Sequence, residues 1–223
     1  MKKSEAKGLK VGFFVFAIVA LMMVGNRATA VTLDSVPHIH HVKVVENKLF
    51  VLTHEGLYEL VGKNNMKLVG KDRVDVMGFT TLGKALFASG HPAEGSKMPN
   101  PIGLVKSIDG GLTWKAISLV GEVDFHFLEG AGGDLYGSDS QSGNLMYSPD
   151  SGKTWRYLGT NTFTDIAVSP EMPGMAIGIK NSELLLTKNA FKSTTKIKNT
   201  LKITQIEWRK SGLYAVSGKT LFK

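Results

Sequence analysis

An eight-residue stretch, SIDGGLTW at Ser107–Trp114, returns forty-one residues later as SPDSGKTW at Ser148–Trp155. Both read Ser-x-Asp-x-Gly-x-Thr-Trp. A degenerate third copy, TKNAFKST, follows at Thr187–Thr194, with Asn189 in the place of the Asp. A turn written at this interval restricts the chain to architectures built from repeated units. The strands keep the same interval. A strand start recurs at Leu49-Phe50, Leu86-Phe87, Leu135-Tyr136, Met175-Ala176 and Leu213-Tyr214, with gaps of 37, 49, 40 and 38 residues. The one long gap holds an insertion rich in Pro and Gly, His91–Gly103.

Between these marks the chain alternates short β-branched and aromatic runs with Gly, Asn, Asp and Ser turns. No stretch of twelve residues carries clean helical periodicity, so the pattern is all-β. Several short strands per unit and a period near 40 predict a β-propeller of four-stranded blades, with about five units over residues 31–223. The third strand of a unit ends in Leu-x-x-Ser/Thr, at Leu104–Ser107, Leu145–Ser148 and Leu184–Thr187. The octapeptides therefore sit on the turn from the third strand to the fourth. The last unit is incomplete, because GKTLFK ends at Lys223. Either the sequence stops part-way through that blade, or a strand near Val31–Ser35 completes it.

The octapeptides resemble the Asp box, also called the BNR repeat. The resemblance implies that Ser107, Asp109, Gly111, Thr113 and Trp114, and likewise Ser148, Asp150, Gly152, Thr154 and Trp155, have a structural role. The Asp can accept turn N–H groups, the Gly supplies a permissive backbone angle, and the Trp buries apolar surface between blades. Asp boxes occur in hydrolases, receptors and simple binding propellers alike, so they point to a fold and not to an activity. Longer stretches, PHIHHVKVVENKLFVLTHEGLYEL, DVMGFTTLGKALFASGHP, PNPIGLVKSIDGGLTW and GEVDFHFLEG, resemble a group of exported bacterial propellers labelled glycosylhydrolase-like. That label implies glycan hydrolysis, and the residues support it poorly. A sialidase-like site needs several arginines, and beyond residue 30 the chain has only Arg73, Arg156 and Arg209. Arg156 directly follows the Trp of an octapeptide, so it is expected on the wrong face for such a site. A two-carboxylate glycosidase needs a separated acidic pair, for which Asp75 and Asp124 are the candidates. There is no Gly-x-Ser-x-Gly and no Cys to serve as a nucleophile elbow or thiolate.

The first thirty residues read differently. Lys2, Lys3, Lys7 and Lys10 form a basic start, Val11–Gly25 is an uninterrupted apolar run, and Ala28-Thr29-Ala30 offers a small-x-small cleavage site. That order predicts a secretory signal peptide, and an uncleaved anchor is the alternative. The apolar run falls short of the roughly 20 residues that span a bilayer. The segment sets Lys2, Lys3, Lys7, Lys10 and Arg27 against Glu5, which accounts for half of the formal charge of +8. What remains is mildly basic and scattered, and calls for no nucleic-acid partner. An exported chain without Cys has neither disulfides nor a lipobox. The expected location is outside the cell or at the wall, with no stable membrane span after cleavage.

All six histidines lie between positions 38 and 126. With the repeat as a ruler, His40, Met77 and His126 each stand nine residues before a strand start. They share one position, at the beginning of the innermost strand of three successive blades. His54 and His91 each stand five residues after a strand start, at the end of the second strand. In an antiparallel pair these two positions lie at one edge, so both sets are expected on one face near the channel, with the octapeptides at the opposite end. Five imidazole and thioether donors at a pore mouth suggest a transition metal, copper first and zinc next. Met98 in the insertion and His38 could add to them. The alternative is a polar channel lining, or a hydrogen-bonding site for an organic or peptide ligand. The other two units offer Asp165 or Ile166, Thr204, Lys180 and Gly218, so the ring is incomplete and Lys180 would repel a cation. The expected function is an exported binding module, with a glycoside hydrolase or a protein-interaction scaffold as alternatives. Its partner would be a small ligand, a metal ion, a glycan or another exported protein.

Overall fold

The computed structural model describes residues 31–36, 38–71 and 73–223. The basic start, apolar run and cleavage site of residues 1–30 lie outside the described residues. The strands form five antiparallel sheets, the blades of a five-bladed β-propeller. Blade 1 contains β2 (Ile39–Val45), β3 (Lys48–Thr53), β4 (Gly56–Leu60) and β5 (Asn65–Leu68). Blade 2 contains β6 (Asp75–Leu82), β7 (Ala85–His91), β8 (Leu104–Ser107) and β9 (Lys115–Ser118). Blade 3 contains β10 (Phe125–Ala131), β11 (Asp134–Asp139), β12 (Asn144–Ser148) and β13 (Arg156–Thr160). Blade 4 contains β14 (Asp165–Val168), β15 (Ala176–Lys180), β16 (Glu183–Thr187) and β17 (Thr195–Ile197). Blade 5 has three strands, β18 (Gln205–Arg209), β19 (Gly212–Ser217) and β20 (Thr220–Phe222).

Of the two alternatives for the incomplete last unit, completion by a strand near Val31–Ser35 is not what the structure shows. Val31–Thr32 forms a short strand, β1, that pairs with Met66 and Asn65 on the outer edge of blade 1. The reason is apolar. Val31, Leu33 and Val36 lie over Val51, Tyr58 and Met66, the face of blade 1 turned away from blade 2. Covering that face locally keeps buried side chains worth about 1.5–3 kcal/mol each out of water.

Apolar clusters fill four of the seams. Phe50, Leu52 and Leu57 meet Val76, Phe79 and Leu86 between blades 1 and 2. Phe87 and Leu104 meet Phe125 and Leu135 between blades 2 and 3. Tyr136 and Tyr147 meet Ile166 and Val168 between blades 3 and 4, and Ile177 and Ile179 meet Ile203 and Ile206 between blades 4 and 5. Between blades 5 and 1 the described residues form no such cluster. A cavity of about 570 Å³ opens there, walled by Val42, Val44, Tyr214 and Leu221. Lys43 crosses the channel to Glu129 at 3.3 Å and Glu207 at 3.7 Å, and so ties β2 to blades 3 and 5. Although 27% of the Glu129 side chain is accessible, its carboxyl sits deep in the channel, and burial pushes it up to about 7 against the pull of Lys43.

The octapeptide turns fasten blades 2, 3 and 4 each to the blade before it. Ser107 Oγ donates to Asp109 Oδ1 and accepts from Gly111 N–H, and Asp109 accepts from both the N–H and the hydroxyl of Thr113. Ser148, Asp150, Gly152 and Thr154 repeat every one of these bonds. Gly111 and Gly152 have φ of 91° and 85°. A Cβ there would also strike Leu57 and Leu104, respectively, on the preceding blade. Trp114 packs into the first seam and Trp155 into the second. Trp155 also donates to Ser118 Oγ of blade 2 at 3.0 Å. In the third copy Asn189 Oδ1 accepts from Ser193 N–H, and its amide nitrogen donates to Ser193 Oγ. Phe191 holds the Gly position at φ 57°. Its ring lies 4.4 Å from that of Phe163 and takes the place of the missing Trp in the third seam.

Trp155→Ala should cost roughly 3 kcal/mol in a denaturant titration, at the low end for an aromatic core deletion. Tyr157→Ala, at a side chain 68% exposed, should stay within about 0.5 kcal/mol. The hydrogen bonds from Thr113, joined by the one from Ser107, hold the Asp109 carboxyl down at about 2, from an ordinary value of 3.8. Its contribution is present above the ordinary value and is lost as pH falls through about 2. Asp109→Asn should therefore flatten the stability–pH curve in that window.

Candidate functional site

The chemistry-bearing residues stand at the end of the blades opposite the octapeptide turns, as the register shows. Asp75 on β6 pairs with His91 on β7, whereas Leu86, at the other end of β7, pairs with Ser107. The innermost strands of the first three blades each begin with a β-bulge. Ile39 and His41 oppose Thr53 and Leu52, leaving His40 as the extra residue. Val76 and Gly78 oppose Gly90 and Ser89, leaving Met77. Phe125 and Phe127 oppose Asp139 and Ser138, leaving His126. The three residues that the repeat made equivalent are thus the three bulge residues, set out of the ladder and re-aimed. The innermost strands of blades 4 and 5 pair without a bulge. Gly90, at φ 145°, lets the bulge of blade 2 close, because a Cβ there would stand 2.0 Å from the Asp75 carbonyl oxygen.

The five expected donors do not form one ring. Among the described residues, two separate trios gather, His40–His54–Asp75 and His91–Asp124–His126. Each spans a seam. His40 and His54 come from blade 1 and face Asp75 of blade 2. His91 comes from blade 2 and faces Asp124 and His126 of blade 3. Asp75 and Asp124, expected as one acidic pair, are split between the trios. His38 also approaches, with its ring 5.3 Å from that of His54. Met77 stands at the matching bulge of blade 2, and its carbonyl accepts from His41 Nε2 at 2.9 Å. Met98 packs against the apolar cluster of the first seam. Lys180 ends β15 at the corresponding corner of blade 4.

The geometry inside the trios is unusual for hydrogen-bonded pairs. His40 Nε2 lies 3.4 Å from Asp75 Oδ1, His91 Nε2 3.3 Å from Asp124 Oδ2, and His126 Nε2 2.8 Å from Asp124 Oδ2. None of these three approaches has the alignment of a hydrogen bond. The aligned contact is His54 Nδ1 with Asp75 Oδ2 at 2.9 Å. His40 Nε2, Asp75 Oδ1 and Asp124 Oδ1 are buried without a hydrogen-bond partner. Asp124 is 3% exposed. Buried polar atoms left without partners are rare and cost about 1–3 kcal/mol each, more when charged. Donor atoms brought together in this way, but not aimed at one another, can share a cation placed between them.

Residues behind the second trio hold it in place. His91 Nδ1 lies 2.8 Å from Asn100 Oδ1, and Ser140 Oγ donates to Asp124 Oδ2 at 2.7 Å. Asp139 accepts the Asp124 N–H at 3.1 Å. Sequence reading missed Asn100, Ser140 and His41. Asn100 lies inside the insertion, where the repeat gives no ruler. Ser140 could have been found, since it stands five residues after Leu135, the position of His54 and His91. Burial holds His40 below the ordinary imidazole value, and the neighbouring His54 adds to this while Asp75 opposes it. Burial likewise lowers His41.

No family model matches the chain, and no curated protein is detectably similar to it. Solved β-propellers share its fold. A structure of YCF48 bound to D1 peptide matches at a TM-score of 0.51 and 14% identity, covering 84% of this chain and 63% of that one. PorZ of Porphyromonas gingivalis, a surface component of the type-IX secretion system, matches at 0.51 and 14%, covering 82% and 24%. An ancestral GH74 enzyme matches at 0.50 and 12%, covering 81% and 27%. The chain thus spans less than two thirds of the length of each of these three proteins. At such identities the likeness shows the fold alone.

In metal-free protein, His40 should titrate below an ordinary histidine by side-chain NMR. Asp75→Asn should lower it further, because the carboxylate is the group that favours its charged form. Folded His40 and His41 resist protonation, so their contribution to stability is complete above the ordinary imidazole value. It is lost as pH falls through their lowered folded values.

Proposed function

We propose that this chain is an exported propeller-type binding module that holds transition-metal ions on its histidine face. The observation that carries the reading is the set of close but unaligned imidazole–carboxylate approaches, together with the unpartnered buried atoms His40 Nε2, Asp75 Oδ1 and Asp124 Oδ1. A polar channel lining would be expected to satisfy such atoms. A neutral imidazole nitrogen facing a carboxylate oxygen at 3.3 Å is repulsive unless a cation or proton stands between them.

The octapeptide turns are, in this reading, Asp boxes that serve the fold alone. The basic start and apolar run of residues 1–30 direct export, which suits a site built from imidazoles without thiols. Among the described residues no helix is long and apolar enough to cross a membrane. Glycoside hydrolysis fits less well. Asp124 is buried against two imidazoles and a serine, and Asp75 is held by His54, so neither carboxyl is presented to a glycosidic oxygen.

Metal analysis of the purified, tag-free protein, followed by titration with copper and zinc salts, tests the reading. Stoichiometric binding is expected, and it should fall by at least one equivalent in a His40→Ala/His126→Ala double variant that keeps the wild-type melting profile. Binding that is absent, or that survives those changes undiminished, would sink the metal reading. A protein-interaction scaffold would then stand in its place.

A further inference from the structure

The two trios share no donor. Asp75 serves only His40 and His54, and Asp124 serves only His91 and His126. Each offers two imidazoles and one carboxylate. That set carries a single negative charge and suits a borderline divalent ion, whereas Cu(I) selects thioether and thiolate. His54 and His126 are 47% and 44% exposed, so the outer side of each trio faces solvent. Three protein ligands with a fourth position left to water are a known form of zinc coordination.

The trios differ in what stands behind them. In the second, Asn100 accepts from His91 Nδ1, which fixes the tautomer and turns the Nε2 lone pair toward Asp124. Ser140 orients the Asp124 carboxylate, and Asp139 holds its backbone. Burial of Asp124 leaves Oδ1 with no other use. Outer partners of this kind change metal affinity by about 10–100-fold. In the first trio, His54 Nδ1 is engaged with Asp75 Oδ2, so an ion must displace that bond or take the other ring nitrogen. No side chain among the described residues hydrogen-bonds to His40.

We infer that the histidine face carries two separate zinc-type sites of unequal strength, and that the trio between blades 2 and 3 fills before the trio between blades 1 and 2. This rests on the metal reading above.

The test is a zinc titration of the full chain against a competing chelator, with X-ray absorption of the loaded protein. Two equivalents are expected, the first bound at least about 10-fold more tightly. Asn100→Ala and, separately, Ser140→Ala should each weaken the tight step by about 10–100-fold and leave the weak step unchanged. His54→Ala should remove only the weak step. The absorption spectrum should show nitrogen and oxygen scatterers near 2.0–2.1 Å. Two equal steps, a single step, or a tight step indifferent to both Asn100→Ala and Ser140→Ala would overturn the inference while leaving metal binding intact. A sulfur scatterer would bring a methionine such as Met77 into the shell and overturn the assignment of donors. No zinc bound at all would overturn this inference, and a failure to bind copper as well would overturn the function reading itself.

Discussion

The hydrogen bonds that Asp109 and Asp150 collect inside their own turns govern the rest of the molecule. A blade is a small twisted sheet with two faces to bury, and it cannot bury them alone. The Ser–Asp–Thr network freezes each turn so that a glycine and a tryptophan enter the preceding seam at one depth. Once those side chains are placed, Leu57, Leu86, Leu104 and Leu135 have fixed neighbours. The angle between blades follows from that packing.

The histidine face depends on the same seams, although it lies at the other end of the strands. Both trios draw donors from adjacent blades, so their internal distances are distances between sheets. A few tenths of an ångström between an imidazole and a carboxylate can be held only if the sheets themselves do not slide. Close-packed interiors provide this, because they are stiff and transmit strain without absorbing it. Phe125 takes part in both tasks. Its ring packs against Trp155 at 4.8 Å, and its backbone N–H bonds Ser89 of blade 2 one residue from His126.

Most of the fold was legible because a repeat is a form of measurement. Strand starts at fixed intervals located Leu86, Leu135 and Leu213, and with them the turn that carries each octapeptide. The ruler also gave His40, Met77 and His126 one equivalent position on three blades. It did so because all three are extra residues in matching bulges, a property that counting preserves. Counting could not tell that Asp75 and Asp124 would lie under imidazoles, since that depends on how neighbouring sheets twist past each other. It failed in the insertion for a plainer reason. Asn100 and Met98 have no counterpart in other blades, and only the structure separates the first, beside His91, from the second, in the apolar seam. It left Val31–Ser35 undecided, and there covering Val51, Tyr58 and Met66 locally outweighed pairing with a distant edge.

The bulges have a consequence for how such a molecule can change over time. A residue inside a strand answers to its partner across the ladder and to the seam behind it. The extra residue of a bulge has no ladder partner. His40, Met77 and His126 are therefore positions where the identity of one side chain can be exchanged without altering register, seam or turn. Each of the first three blades offers one such variable letter at the same corner. A lineage could rewrite the chemistry of this face letter by letter, and the scaffold would register none of the edits.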